Sequence, residues 1–323
     1  MLYANTGVGP REVVDGEGAA LEGVVWLDLM DPTEAERGLV ERVTGLRVPG
    51  REDLAEIESS SRLSTERGAL YLSAPTHVLD AEGVSHSSPL GFVLSERRLV
   101  TVRYAALPVF EQCGSTFHLE GVQGGAPDGV VAFLWIMEAI VDRMADVLEH
   151  IGVELDLMSR RVFRPEGASP ARTDVQLRAT LRGVGRAGDR LSNLRDSLVG
   201  VQRVVGYVAE TARWIRAEDR PRFLTLRQDT VSLADYDVQL SNKVQFLLDA
   251  TLGFINIEQN NGIKVLTVVS VVGVPPTLMA SIYGMNFHNM PELSWVWGYQ
   301  YGLLVIVLSG LLPLVWFRRK GWI

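Results

Sequence analysis

Tyr283-Gly284-Met285-Asn286, followed three residues later by Met290-Pro291-Glu292-Leu293, occupies a short connector between two uncharged apolar stretches. A neutral carboxamide in that place suits one kind of chemistry. A small divalent cation such as Mg²⁺ gives up its waters reluctantly, so a site that lets it pass should hydrogen-bond to the water shell through neutral oxygens. Carboxylates would strip and hold it. The Asn286 carboxamide supplies such an oxygen, and Gly284 permits close backbone approach where the preceding helix ends. A plain helix C-cap is the competing reading, because Gly and Asn both tolerate a left-handed conformation.

Upstream of this connector, Asn260, Ile263, Thr267, Ser270, Val274, Thr277 and Ser281 recur at alternating steps of three and four. Such a stripe lines the axis of a parallel helix bundle. It is small and partly hydroxylated, whereas Val265, Val268, Val269, Val272, Leu278 and Met279 between its members are bulky and apolar. The stripe reads as a pore lining or as a helix-packing seam, since small residues and Ser/Thr also sit where membrane helices touch. One span cannot enclose a pore, so both readings require several copies of the chain. Thr277 and Ser281 extend a ladder of oxygens, and Val274, Leu266 and Ile263 form a constriction that gates by dewetting. The strict heptad places Thr267 on the axis. Pro275-Pro276 removes two helical donors and should kink or widen the bundle locally.

The elements that hold these residues are two membrane spans. Val265–Tyr283 and Trp295–Phe317 carry no charge, and each is long enough to cross a hydrocarbon core of about 30 Å as a helix. Lys264 precedes the first, Arg318, Arg319 and Lys320 follow the second, and the connector 284–294 holds no Lys or Arg. Positive flanks stay in the cytoplasm, so the connector faces outward and both termini face inward, as in a multi-pass protein of the plasma (inner) membrane. Trp295, Trp297, Tyr299, Tyr301, Trp316 and Trp322 form interfacial belts.

The remaining roughly 260 residues suffice for one large or two smaller domains with real cores. The N-terminal 18 residues hold no apolar run of a secretory signal, and the formal charge of −8 argues against a nucleic-acid partner. The single cysteine, Cys113, has no second thiol to pair with. Val24–Leu29 reads as a strand, and Asp31 or Thr33 caps a helix running through Val43. Another helix follows Pro49-Gly50. Ala69–Thr76, Gly91–Leu94 and Leu99–Arg103 are β-like, with 95–98 as a hairpin turn. Gly124–Pro127 marks the entry to a helical region. There, helices are expected over 130–163, with Glu138, Asp142, Asp146 and Glu149 on one face, over 173–216, and from Pro221 onward. The last runs without a breaker to Pro275, and a helix from 221 to 283 would be roughly 90 Å long. No Ser/His/Asp set, phosphate loop or metal-hydrolase spacing points to an enzyme.

Taken with Gly284-Met285-Asn286, the Met290–Leu293 segment and the paired C-terminal spans, the chain resembles the CorA family of divalent-cation channels and transporters. The likeness holds residue by residue over 260–323 and in coarse organisation over the whole length. It implies an α/β N-terminal cytoplasmic domain (1–125), a cytoplasmic helical region with a stalk helix (126–262) and a transmembrane hairpin (263–323; spans 265–283 and 295–317, outer loop 284–294). It further implies five copies around one pore in the lipid bilayer, with Gly284, Met285 and Asn286 as selectivity filter. The transported ion is then Mg²⁺, with Co²⁺ and Ni²⁺ as passengers, and no cofactor is needed. The family register puts Leu266 on the axis, one residue before Thr267. Metal contacts carried over are Asn286, Asp249 near the base of the stalk, and Glu292. His288 stands where many members carry an acid, which leaves any outward negative ring to Glu292. Thr225 and Gln228 stand where an upper acidic pair belongs. A Zn²⁺ transporter of the same fold and a non-conducting membrane-anchored sensor or scaffold are the competing classes.

Overall fold

A computed structural model describes residues 1–6, 9–13, 21, 23–56, 62–79, 85–114, 128–163, 170–285 and 290–322. The chain divides into two compact units, one of Met1–Phe163 with Arg182–Leu248 and one of Arg164–Leu181 with Asp249–Ile323. The expected boundary at 124–127 lies outside the described residues.

In the first unit, period-two alternation builds a sheet that is buried on both faces. Its strands are β1 (Leu2–Thr6), β2 (Gly9–Glu12), β3 (Trp26–Met30), β4 (Leu63–Glu66), β5 (Ala69–Leu79), β6 (Ser85–Leu94) and β7 (Leu99–Arg103). Their order is β2-β1-β3-β7-β6-β5-β4, antiparallel throughout except for the parallel pair β3 and β7. Leu70, Leu72 and Ala74 of β5 join Phe92, Leu94, Leu99 and Trp26 in one core. Their sequence neighbours Ala69, Tyr71, Val93 and Val100 join Val102, Leu27, Leu29 and Val40 in another. The two helices on the second face are α1 (Glu34–Thr44) and α2 (Arg51–Ala55). Thr33 caps α1 in a capping box with Glu36, which resolves the choice between Asp31 and Thr33.

Asp28 on β3 and Arg103 on β7 form a buried ion pair, 2.9 Å from Arg103 Nη2 to Asp28 Oδ2. Thr101 donates a further hydrogen bond to Asp28 Oδ1, and the guanidinium lies 4.8 Å from the Phe110 ring centre. Such a pair fixes which strands may neighbour each other, because removing one partner strands a charge in the core at a cost of about 3–5 kcal/mol.

Three long helices complete the chain: α3 (Gly129–Phe163), α4 (Pro170–Thr211) and α5 (Arg220–Tyr283, 64 residues). A fourth, α6 (Gly298–Arg319), follows a short 3-10 turn at Pro291–Ser294. Within the first unit, Val184, Ala187, Leu191, Leu194, Leu198 and Val201 of α4 repeat at three and four, and all are buried in the core that α3 and the sheet share. The fold is thus an α/β N-terminal domain, long helices and two C-terminal apolar helices, as the periodicities indicated.

Candidate functional site

The candidate site is carried on the C-terminal part of α5 and on α6, within the second unit. Both helices are long and apolar enough to cross a membrane, each with a mean hydropathy of 1.9 over its most apolar window, and that window of α5 buries none of its residues. α5 stays helical through Pro275 and Pro276. α6 starts at Gly298, three residues after the expected Trp295. The connector first makes the 3-10 turn, with Ser294 Oγ bonding to Pro291 O at 2.7 Å and Gly298 N to Trp295 O at 3.1 Å. A side chain at Gly298 would collide with the Glu292 carbonyl, so the tight entry into α6 depends on glycine.

One face of α5 lies against α6. A Cβ added at Gly310 would stand 3.1 Å from Pro276 Cγ and 3.5 Å from Val272 O, and one at Gly302 would stand 3.9 Å from Tyr283 Cδ2. Small residues on α6 therefore let the two helices approach, as in other membrane helix pairs. Val272, Pro276 and Tyr283, spaced four and seven, define that face. At about 100° per residue, Ser270, Val274 and Ser281 fall within roughly 40° of the opposite direction and Thr277 within roughly 60°. All four are exposed, as are Asn260 and Ile263. α6 leaves these six residues uncovered, together with Val265, Val269 and Leu278 between them. Leu266 and Thr267 flank that direction on either side; Leu266 is 68% exposed and Thr267 half-buried.

Three hydroxyls along this part of α5 have their protons committed. Thr277 Oγ1 donates to Gly273 O at 2.9 Å, Ser281 Oγ to Thr277 O at 2.8 Å, and Thr267 Oγ1 to Ile263 O at 2.8 Å. A hydroxyl bonded back to the i−4 carbonyl has only acceptor lone pairs left to offer outward. The water shell of a cation points its hydrogens outward. The two are complementary.

At the end of α5, Gly284 N continues the helical pattern to Ala280 O at 3.0 Å, and Met285 N bonds to Ile282 O at 3.2 Å. Gly284 does not take a positive φ, so the left-handed cap of the competing reading is absent at this residue. Asn286 and His288 lie outside the described residues. Glu292 is half-buried in the 3-10 turn, and Asp249 is exposed on α5. Among the described residues no group of three or more His, Cys, Asp or Glu side chains is gathered around a common point that could hold a metal. Trp295, Trp297, Tyr299 and Tyr301 cluster exposed around the entry to α6, and at its other end Lys320 Nζ lies 5.3 Å from the Trp316 ring centre.

In the first unit, the acidic face of α3 is partly paired: Glu138 takes both Nε and Nη2 of Arg222 at 3.0 and 2.7 Å. Burial, with Glu138, Asp146 and Asp229 nearby, pushes the Asp142 carboxyl above its ordinary range. The upstream part of α5 also shows Leu224, Val231 and Val238, seven residues apart and 68%, 41% and 52% exposed. These three lie upstream of Asn260, where the stripe of the sequence analysis begins. Their seven-residue interval was the available signal.

Curated relatives match nearly the full length. The magnesium transport protein CorA of Salmonella typhimurium (strain LT2) is 32% identical over 307 residues, covering 95% of this chain and 94% of that protein. The magnesium transport protein CorA of Escherichia coli (strain K12) has the same identity and coverage. Among solved structures, the complete CorA magnesium transporter of Methanocaldococcus jannaschii superposes with a TM-score of 0.77 at 20% identity, over 100% of this chain and 98% of that one, a likeness of fold. The family described as CorA-like Mg2+ transporter protein matches residues 22–319, and with relatives above 30% identity over 95% of its length the chain belongs to that family of membrane ion transporters.

Proposed function

We propose that the chain conducts Mg²⁺ across the plasma (inner) membrane through a homopentameric pore lined by the open face of α5, with both termini in the cytoplasm. Co²⁺ and Ni²⁺ are passengers by the same hydrated route. The observation that carries this reading is the exposed stripe of back-bonded hydroxyls opposite the α6-packed face. Leu224, Val231 and Val238 support assembly, since an exposed apolar series at a seven-residue interval needs parallel copies of itself to cover it.

Geometry favours five subunits for this ion. Five helices at about 10 Å spacing, each about 5 Å in radius with side chains, enclose a lumen of roughly 3.5 Å radius. Mg²⁺ with its waters at about 2.1 Å and a water radius of about 1.4 Å has the same radius. Four helices would leave roughly 2 Å and six about 5 Å.

In this reading 1–125, 126–262 and 263–323 are the cytoplasmic α/β domain, the helical region with its stalk, and the membrane hairpin. The filter is Gly284, Met285 and Asn286, where a ring of carboxamides orders the incoming water shell. Thr277, Ser281, Ser270 and Asn260 carry the hydrated ion along the pore, and Val274, Leu266 or Thr267, and Ile263 form the gate. Glu292 supplies outer negative charge, and Asp249 takes part in cytoplasmic metal sensing. Metal-resolved flux in proteoliposomes, with and without a pH gradient, tests the proposal. Mg²⁺ entry independent of the pH gradient is expected. Selective Zn²⁺ entry, or none of any metal, would overturn it.

A further inference from the structure

Within the first unit a cavity of about 230 Å³ opens between β5, the 106–109 segment, α3 and α4. Its walls are chiefly apolar, among them Leu107, Val109, Ile140, Met144, Val147 and Leu194. Three polar residues, Thr76, His77 and Arg143, interrupt them. The Nε2 atom of His77 is buried and has no hydrogen-bond partner, a state that costs about 1–3 kcal/mol unless something else satisfies it. Arg143, exposed on α3 at the cavity's edge, makes no ion pair among the described residues.

We propose that this cavity binds a small organic monoanion with an apolar body, its carboxylate held between the Arg143 guanidinium and His77 Nε2. Transport through α5 makes no use of either group. Burial, reinforced by Arg190, His86 and Arg143, holds the imidazole below its ordinary pKa, so it is neutral and carries one N–H. In the Nε2–H tautomer it donates to one carboxylate oxygen while the guanidinium takes the other. No Asp or Glu lines the cavity, which disfavours a cation, and the apolar walls give a bare inorganic anion nothing in exchange for its hydration. The volume lies below the roughly 300–1,000 Å³ of drug-sized pockets, so the ligand is a short-chain or single-ring acid.

Calorimetric titration of the purified full-length protein with sodium hexanoate, at constant ionic strength and corrected against empty micelles, tests this. Saturable binding is expected, with hexanol and sodium sulfate at least tenfold weaker. Arg143→Gln should weaken hexanoate at least tenfold, and Ala106→Trp should block the mouth. Both positions are exposed, so thermal unfolding should match the parent chain. No saturable hexanoate binding, sulfate binding as tightly as hexanoate, or hexanoate affinity unchanged in both variants would overturn the proposal.

Discussion

Replacing Thr277 by valine removes one oxygen and keeps the shape of the side chain. Its cost to folding is small. The Gly273 carbonyl that accepts Thr277 Oγ1 at 2.9 Å lies one helical turn back, where the backbone N–H of residue 277 still serves it, and the side chain is exposed on the face away from α6. Side-chain hydrogen bonds between membrane helices average about 0.6 kcal/mol, and loss of this local one should cost no more. Conduction should suffer far more, because the loss is repeated in each subunit around the ring. At about 0.5 kcal/mol per hydroxyl, the low end for a net hydrogen bond, five losses raise the barrier for the hydrated ion by about 2.5 kcal/mol. That is roughly a 70-fold fall in flux at 25 °C. Mg²⁺ entry into proteoliposomes carrying a trapped fluorescent indicator measures it, with Thr277→Ser as a control that keeps the oxygen and should conduct within a few-fold of the parent. Flux within threefold of the parent in Thr277→Val, at equal incorporation, would show that this face does not meet the ion.

Three further outcomes are expected. Asn286→Ala and Asn286→Gly should both abolish selective Mg²⁺ uptake with the oligomer intact on size-exclusion chromatography; near-parental uptake in the glycine variant would return the residue to a capping role. Burial, with Glu138 nearby, pushes the Cys113 thiol up to about 12, and its Sγ lies 3.7 Å from Trp135 O, so a thiol reagent should leave it unlabelled from pH 7 to 9 and label it fully in denaturant. Appreciable native labelling would contradict the packing described. Gly310→Leu inserts bulk where a Cβ alone already meets Pro276 at 3.1 Å, and should cost about 1–3 kcal/mol, seen as a lowered melting temperature in detergent; an unchanged melt would mean that α5 and α6 do not pack through that face.

What could be read locally was read well. Leu99–Arg103 matches β7 to the residue, and helices expected over 130–163 and from 221 begin within one residue of α3 and α5. The misses have physical causes. β1 and β2 went unseen because Leu2–Thr6 and Gly9–Glu12 are short and partly polar, and their pairing follows from what lies beside them. β6 begins at Ser85, six residues before the expected Gly91, through Ser-His-Ser-Ser-Pro-Leu, which shows neither alternation nor β propensity. It is held there by β5, with Pro89 opposite Pro75 at a level where each strand has only one described neighbour, so neither missing N–H breaks a ladder. The parallel pairing of β3 with β7 joins segments more than 70 residues apart, beyond the reach of any window. In the site, spacing nominated the stripe as a lining. It could not show that α6 would cover Val272, Pro276 and Tyr283 and leave the other side open, since that depends on Gly302 and Gly310 in a different helix.

The bonding of Thr277 and Ser281 also bears on what a lumen lined by them would refuse. A chloride ion is solvated by hydrogen-bond donors, and these two hydroxyls have already spent theirs on Gly273 O and Thr277 O. In a lumen lined by them, that level would disfavour anions without a single acidic side chain. Proton hopping along a file of water and hydroxyl groups requires each hydroxyl to rotate and pass its hydrogen on, and here every rotation would first break a bond to the helix backbone. The same two contacts would thus give such a wall a preference for the sign of charge and keep its hydroxyls out of any proton relay.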